Sequence, residues 1–157
     1  MTKKDLDKGE VSVSATALIE NEEHKILLIW EGDTPYHKCW VMPGGYVKQN
    51  ETVEQAVVRE VREETGIEIL PLKLIGIYDD FITNEEDRLM HHIIVGYAAK
   101  IIAGELTITL EATEYAWMDV KEALKSARTP HVFKRIVGDF RKLRRRHLLD
   151  LFSHKVS

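Results

Sequence analysis

Glu60, Glu63 and Glu64 are crowded into the run Arg59-Glu60-Val61-Arg62-Glu63-Glu64, shortly after a Pro43-Gly44-Gly45 turn. Carboxylates packed this closely repel one another, so a fold that keeps them together generally neutralises them with a divalent cation. Carboxylate oxygens suit hard ions, which makes Mg²⁺ or Mn²⁺ the expected occupant. The plainer alternative is a charged helix in which Arg59 and Arg62 pair with nearby acids.

The element that must carry these acids is a helix with signals at both ends. Thr52 with Gln55 three residues later forms a capping box. Gly66 stands where a left-handed C-terminal cap is wanted. Between them Val53, Ala56, Val57 and Val61 recur at helical spacing. With Val53 at zero and about 100° per residue, Val57 falls near about 40° and Val61 near about 80°. On the same wheel Glu64 falls near about 20°, Glu60 near about 340° and Glu63 near about 280°. The glutamates border the apolar stripe instead of sitting on the solvent face, where surface acids ordinarily go.

The rest of the chain reads as a frame for that helix. Val11 to Ile19 and Lys25 to Trp30 are β-rich, with a hairpin turn at Asn21-Glu22-Glu23. Glu31 to Lys38 is a loop, and Trp40-Val41-Met42 is a short strand. Ile67 to Tyr78, interrupted by Pro71, reads as one bent strand or two short ones, followed by a polar loop over Asp79 to Arg88. Leu89 to Ile102 is a long strand ending at a Gly104 turn. Leu106 to Leu110 and Tyr115 to Met118 are short strands. Asp119 caps a short helix through Ala127, and Pro130 opens a last helix from His131 to about Phe152. Strands and helices mixed in this order imply a layered mixed sheet with helices packed on it.

Composition bounds the answer. The 157 residues suit one domain, read as a mobile tail over 1–10 and a single domain over 11–157 that includes the C-terminal helix. With 44% hydrophobic and 31% charged residues the chain is an ordinary globular protein. A formal net charge of -4 argues against a broad nucleic-acid or membrane surface, so no nucleic-acid or membrane partner is expected. The one cysteine, Cys39, excludes an intrachain disulfide. The polar N-terminus lacks a signal peptide's apolar stretch, no run of 18 apolar residues exists, and a cytoplasmic location is expected.

Gly45, five residues, Glu51, seven residues, then Arg59 through Gly66-Ile67 resembles a complete Nudix box; the match covers 23 of the 157 residues. The resemblance to Nudix hydrolases (MutT-like) implies an α/β (α+β) fold, an α-β-α sandwich with a central mixed β-sheet. It implies divalent-metal-dependent hydrolysis of the pyrophosphate bond in a nucleoside diphosphate linked to another group X. X would make the substrate a nucleotide sugar, an ADP-ribose-like compound or a nucleoside triphosphate. RNA 5′-pyrophosphate removal and a non-catalytic regulatory module are the alternatives. A pyrophosphate is polyanionic, as is an attacking hydroxide, and metal ions relieve that repulsion.

By the same resemblance Glu60 and Glu64 are metal ligands, Glu63 is a further ligand or the general base, and the carbonyl of Gly45 is another ligand. Glu51 and Arg59 hold the loop–helix–loop in shape, Gly66 turns the chain, and Val61 and Ile67 pack it down. The family often supplies one more glutamate from a later loop. Glu111 is favoured there over Glu114, and Glu105 is a poorer candidate. The catalytic set is therefore Glu63, Glu64 and Glu111, with Mg²⁺ or Mn²⁺ as cofactor, a nucleotide-derived small molecule as substrate and a homodimer as a possible assembly.

The group X is hardly legible. Ile75 to His92 faintly resembles the segment after the box in ADP-ribose and sugar-nucleotide enzymes, but Thr83 stands at about the place of the ADP-ribose group's proline. The tyrosine of dinucleoside polyphosphate enzymes and the coenzyme A signature are missing. Trp30, Tyr36 and Trp40 are aromatics that either stack on a base or pack in the core. Of His91 and His92, strand alternation sends one inward and one outward. The basic run Arg141 to His147 lies on an amphipathic helix whose basic face is solvated, with an RNA or phosphate-rich partner as the alternative.

Overall fold

The computed structural model describes residues 11–31, 38–83 and 86–146. The chain runs β1 (Val11–Ile19), β2 (Lys25–Glu31), β3 (Cys39–Val41), β4 (Gly44–Tyr46), α1 (Val53–Thr65), β5 (Ile67–Thr83), β6 (Leu89–Gly104), β7 (Glu114–Asp119), α2 (Val120–Lys125) and α3 (His131–Arg145). The expected tail over 1–10, Tyr36, and the last helix beyond residue 146 lie outside the described residues. Among those described, no helix is long and apolar enough to cross a membrane.

A four-stranded mixed sheet has the order β4-β1-β6-β5, with β1 parallel to β6. A three-stranded antiparallel sheet has the order β3-β2-β7. Strand alternation feeds two cores. Ala15, Ala17 and Ile19 of β1 meet Ala56, Val57 and Val61 of α1. Leu18, Ile26 and Leu28 face the other way, against Ile136, Val137 and Phe140 of α3. The result is the expected α-β-α layering. Val57 and Val61 are fully buried, and each such side chain contributes roughly 1.5–3 kcal/mol of burial.

Helix α1 forms where its signals place it. The Thr52 hydroxyl accepts from the Gln55 N–H, the Gln55 side chain accepts from the Thr52 N–H, and Gly66 closes the helix with φ 76°.

Four expectations change. The turn after β1 forms, but β1 and β2 enter different sheets and share only the Glu20–Ile26 bridge. The polar loop expected from Asp79 is strand as far as Thr83, because β5 is an edge strand whose Asp79, Phe81 and Thr83 face water. Pro71 interrupts the register there without breaking the strand, as an edge allows. Leu106 to Leu110 is loop, with Ile108 and Leu110 exposed. Helix α2 ends at Lys125, and Asp119 precedes it without a side-chain cap bond.

Candidate active site

The order of burial along α1 follows the helical wheel. Glu64 is 3% exposed, Glu60 is half-buried and Glu63 is exposed. Glu64 reaches back to the glycine turn, where its Oε1 accepts from the Gly44 N–H at 2.8 Å. Burial pushes its carboxyl well above the usual carboxylate range. The Gly44 N–H opposes that rise, and the charges of Glu31, Glu60 and Glu111 add to it. An ionised Glu64 therefore calls for a nearby cation.

Arg59 organises the outer acids. Its Nε and one terminal nitrogen grip both oxygens of Glu51 at 2.9 and 2.6 Å. The other nitrogen reaches Glu60 at 2.7 Å and Glu63 at 3.1 Å. The terminal nitrogen that bonds Glu51 also donates to the Tyr46 carbonyl at 3.0 Å. Glu51 in turn accepts from the Lys48 N–H at 2.7 Å. The bond from Arg59, helped by that from Lys48, lowers the Glu51 carboxyl to about 2. Loop, helix and strand β4 are thus clamped by one guanidinium, whose planar fork fits a carboxylate with two bonds.

The two glycines of the turn do different jobs. A Cβ on Gly44 would lie 2.1 Å from the Ala15 carbonyl oxygen, so its bareness lets β4 close on β1. A Cβ on Gly45 would lie 2.5 Å from the Glu60 carboxyl carbon, so its bareness lets that carboxylate approach the turn.

The later acid arrives by a route the sequence conceals. Thr109 donates to the Glu64 carbonyl at 2.9 Å while its hydroxyl oxygen accepts from the N–H groups of Glu111 and Ala112, each at 3.2 Å. The Thr107 N–H bonds the Thr65 carbonyl at 2.9 Å. Carbonyls left open at the end of α1 are satisfied by this loop, and the loop delivers Glu111. One carboxylate oxygen from each of Glu60, Glu63 and Glu111 lies within 4.8 Å of the others. Oxygens separated by up to twice a metal–oxygen bond of about 2.0–2.6 Å can share one hard cation. The donor set, all carboxylate and held against a bare glycine, fits Mg²⁺ or Mn²⁺. Glu64 lies outside this trio. Glu114, exposed at the start of β7, does not join it, and neither does Glu105, which is also exposed.

Beside the turn is a cavity of about 100 Å³ lined by Glu31, Gly44, Gly45, Tyr46, His92 and Phe133, among others. His92 is the inward histidine, 3% exposed, and burial lowers its pKa. The Tyr46 hydroxyl lies 3.5 Å from His92 Nε2, with the rings edge to face. His91 faces outward and pairs with Asp79 at 2.6 Å. Trp30 and Trp40 pack on each other across the β2–β3 pairing, centroids 5.2 Å apart, and neither lines this cavity. Sequence reasoning missed Glu31, Tyr46 and Thr109. The one signal for Glu31 was an acid at the end of an apolar strand, opposite the strand leading into the glycine turn.

Comparison with known proteins bears on this arrangement. The family model described as the NUDIX domain matches residues 11–137. An ADP-ribose pyrophosphatase of Methanocaldococcus jannaschii is 36% identical over 129 residues, 80% of this chain and 74% of that protein. An RNA pyrophosphohydrolase of Hydrogenovibrio crunogenus is 36% identical over 91 residues, 58% of this chain and 52% of that one. Among solved structures, the MutT protein of Methanosarcina mazei Go1 has a TM-score of 0.76 at 26% identity, covering 87% of this chain and 97% of that chain.

Proposed function

The chain belongs to the NUDIX domain family, and on that premise we propose that this pyrophosphohydrolase cleaves a nucleoside diphosphate linked to a group X of the ADP-ribose or nucleotide-sugar type, with Mg²⁺ or Mn²⁺. The observation that carries the reading is the convergence of Glu60, Glu63 and Glu111 beside Gly45 and above the buried Glu64. The similarity to an ADP-ribose pyrophosphatase over most of both chains supports the choice of X.

Glu60 and Glu63 of that trio, joined by the adjacent Glu64 and the Gly45 carbonyl, would hold the ion, which leaves the third carboxylate, Glu111, for proton transfer. When bound, the ion neutralises phosphate oxygens and acidifies a coordinated water. The chain's own residues supply the rest. Arg59 fixes the carboxylates of Glu60 and Glu63, so little reorganisation is needed as charge develops. Glu111, on an exposed loop yet tied through Thr109, accepts the proton of the attacking water at a carboxylate oxygen. The cavity between Tyr46, His92 and Phe133 receives an organic part of the substrate and keeps water from it.

The test is hydrolysis with Mg²⁺ across ADP-ribose, nucleotide sugars, nucleoside triphosphates and 5′-triphosphorylated RNA. The parent should turn over ADP-ribose or a nucleotide sugar best. Glu111→Gln should lower kcat by at least about 10²-fold, the lower range for a removed proton-transfer group, and Glu64→Gln, which removes a charge that holds the ion, should lower kcat and raise the Mg²⁺ concentration needed for turnover. Ligand binding without turnover on any substrate would mark a regulatory module instead.

A further inference from the structure

A groove of about 1040 Å³ runs between α2, α3 and the β1–β2 turn. Its walls carry Lys121 and Lys125 from α2, and Arg141, Arg144 and Arg145 from α3. Five cationic side chains against two acids, Asp119 and Glu122, form a basic trough on a chain whose formal net charge is -4. The low net charge had argued against a nucleic-acid partner, but the charge is unevenly spread.

Arg144 has its own task, binding the buried Glu20 and contacting His24. Among the described residues, Lys121, Lys125, Arg141 and Arg145 have no ion-pair partner. Each helix offers its pair four residues apart, where neighbouring Cβ atoms are roughly 5–6 Å apart. Two rows of cations thus face one trough at a spacing suited to successive phosphates of an extended strand.

We propose that this groove binds the backbone of single-stranded RNA. Asp119 and Glu122 are acceptors for ribose hydroxyls and base amino groups, whereas they would repel the denser charge of inorganic polyphosphate. A trough between two helices fits neither a flat anionic bilayer nor the convex surface of a duplex. The site is separate from the carboxylate cluster. Strand β7 runs from Glu114, three residues after Glu111, to Asp119 in the groove wall, five steps of about 3.3 Å or roughly 16 Å. RNA bound here would extend away from the acids or lead an end toward them.

The test is fluorescence anisotropy with a 5′-fluorescein 12-nucleotide RNA in EDTA, so that its outcome is independent of hydrolysis. Each neutralised phosphate of a single strand contributes a slope of about -0.7 in log K against log salt. With four contacts, Kd should weaken about 50-fold between 50 and 200 mM salt. Lys121→Gln with Lys125→Gln, or Arg141→Gln with Arg145→Gln, should reduce that factor to about 7, and the fourfold variant should abolish binding. The same variants should hydrolyse a small nucleotide substrate as the parent does. Absence of saturable binding at 50 mM salt would overturn the proposal. So would an unchanged salt slope in the fourfold variant, or binding of polyphosphate or anionic vesicles where RNA does not bind.

Discussion

The adjacent glycines of the turn give the sharpest test of the site, because one substitution at each should separate activity from stability. In Gly45→Ala the new Cβ would meet the Glu60 carboxyl carbon at 2.5 Å, against a lower edge of ordinary contact at 3.4 Å. The carboxylate must retreat by about 0.9 Å, and it sits at the end of a flexible side chain, so the fold should lose less than about 1 kcal/mol. A displacement of about 1 Å in a positioned catalytic group costs on the order of 10²-fold in rate. In Gly44→Ala the Cβ would instead meet backbone, the Ala15 carbonyl oxygen at 2.1 Å and the Thr16 Cα at 2.6 Å. No side chain can yield there, so β4 must part from β1, at a cost of about 2–3 kcal/mol. For a chain of this length that is roughly 5–10 °C in Tm. The assay is kcat for Mg²⁺-dependent hydrolysis alongside thermal unfolding, for both variants. Gly45→Ala should keep its Tm within about 3 °C and lose about 10²-fold in kcat, while Gly44→Ala should melt early. Gly45→Ala with parental kcat would refute the coupling of turn and carboxylate; equal losses of Tm would refute the division of labour.

Three further outcomes are expected. Thr109→Val removes a hydroxyl that makes three bonds, so the Glu111 loop should detach, with kcat down about tenfold or more and a loss of about 1–3 kcal/mol in denaturant unfolding. Arg144→Ala leaves Glu20, whose side chain is 1% exposed, with His24 at 2.7 Å in place of two cationic partners, and should cost about 1.5–3 kcal/mol; adding Glu20→Gln should recover much of it in chemical denaturation. Glu51 is depressed from its ordinary 4.5 to about 2, so its stabilising effect is complete above about pH 4.5 and fades as pH falls toward 2. Glu51→Gln should lower Tm at neutral pH and flatten its fall over that acid window, and a parental acid profile would count against the Arg59 clamp.

What the sequence disclosed was local. The capping box, the Gly66 cap and the order of the glutamates around α1 depend on residues a few places apart, and all appear as expected. His92 inward and His91 outward follow from strand alternation alone. What stayed hidden depends on partners far along the chain. Thr107-Ile108-Thr109-Leu110 alternates like a strand, yet its threonines bond the carbonyls of Thr65 and Glu64 and its apolar side chains face water. Asp79 to Thr83 looks like loop because polar residues suit the open side of an edge strand as well as they suit a turn. The nearness of Glu31 to the glycine turn follows from its register opposite Cys39, and no motif reports register.

The tie from Thr109 to the carbonyl of Glu64 spans 45 residues of sequence. A nascent chain that has emerged only as far as Gly66 already carries the whole glutamate motif but not Glu111 or the loop that anchors it. Until β5 and β6 have paired and brought the chain back to the end of α1, the cluster lacks its last carboxylate. Incomplete or misfolded copies should therefore be idle ones, and hydrolysis doubles as a report that the chain has finished folding.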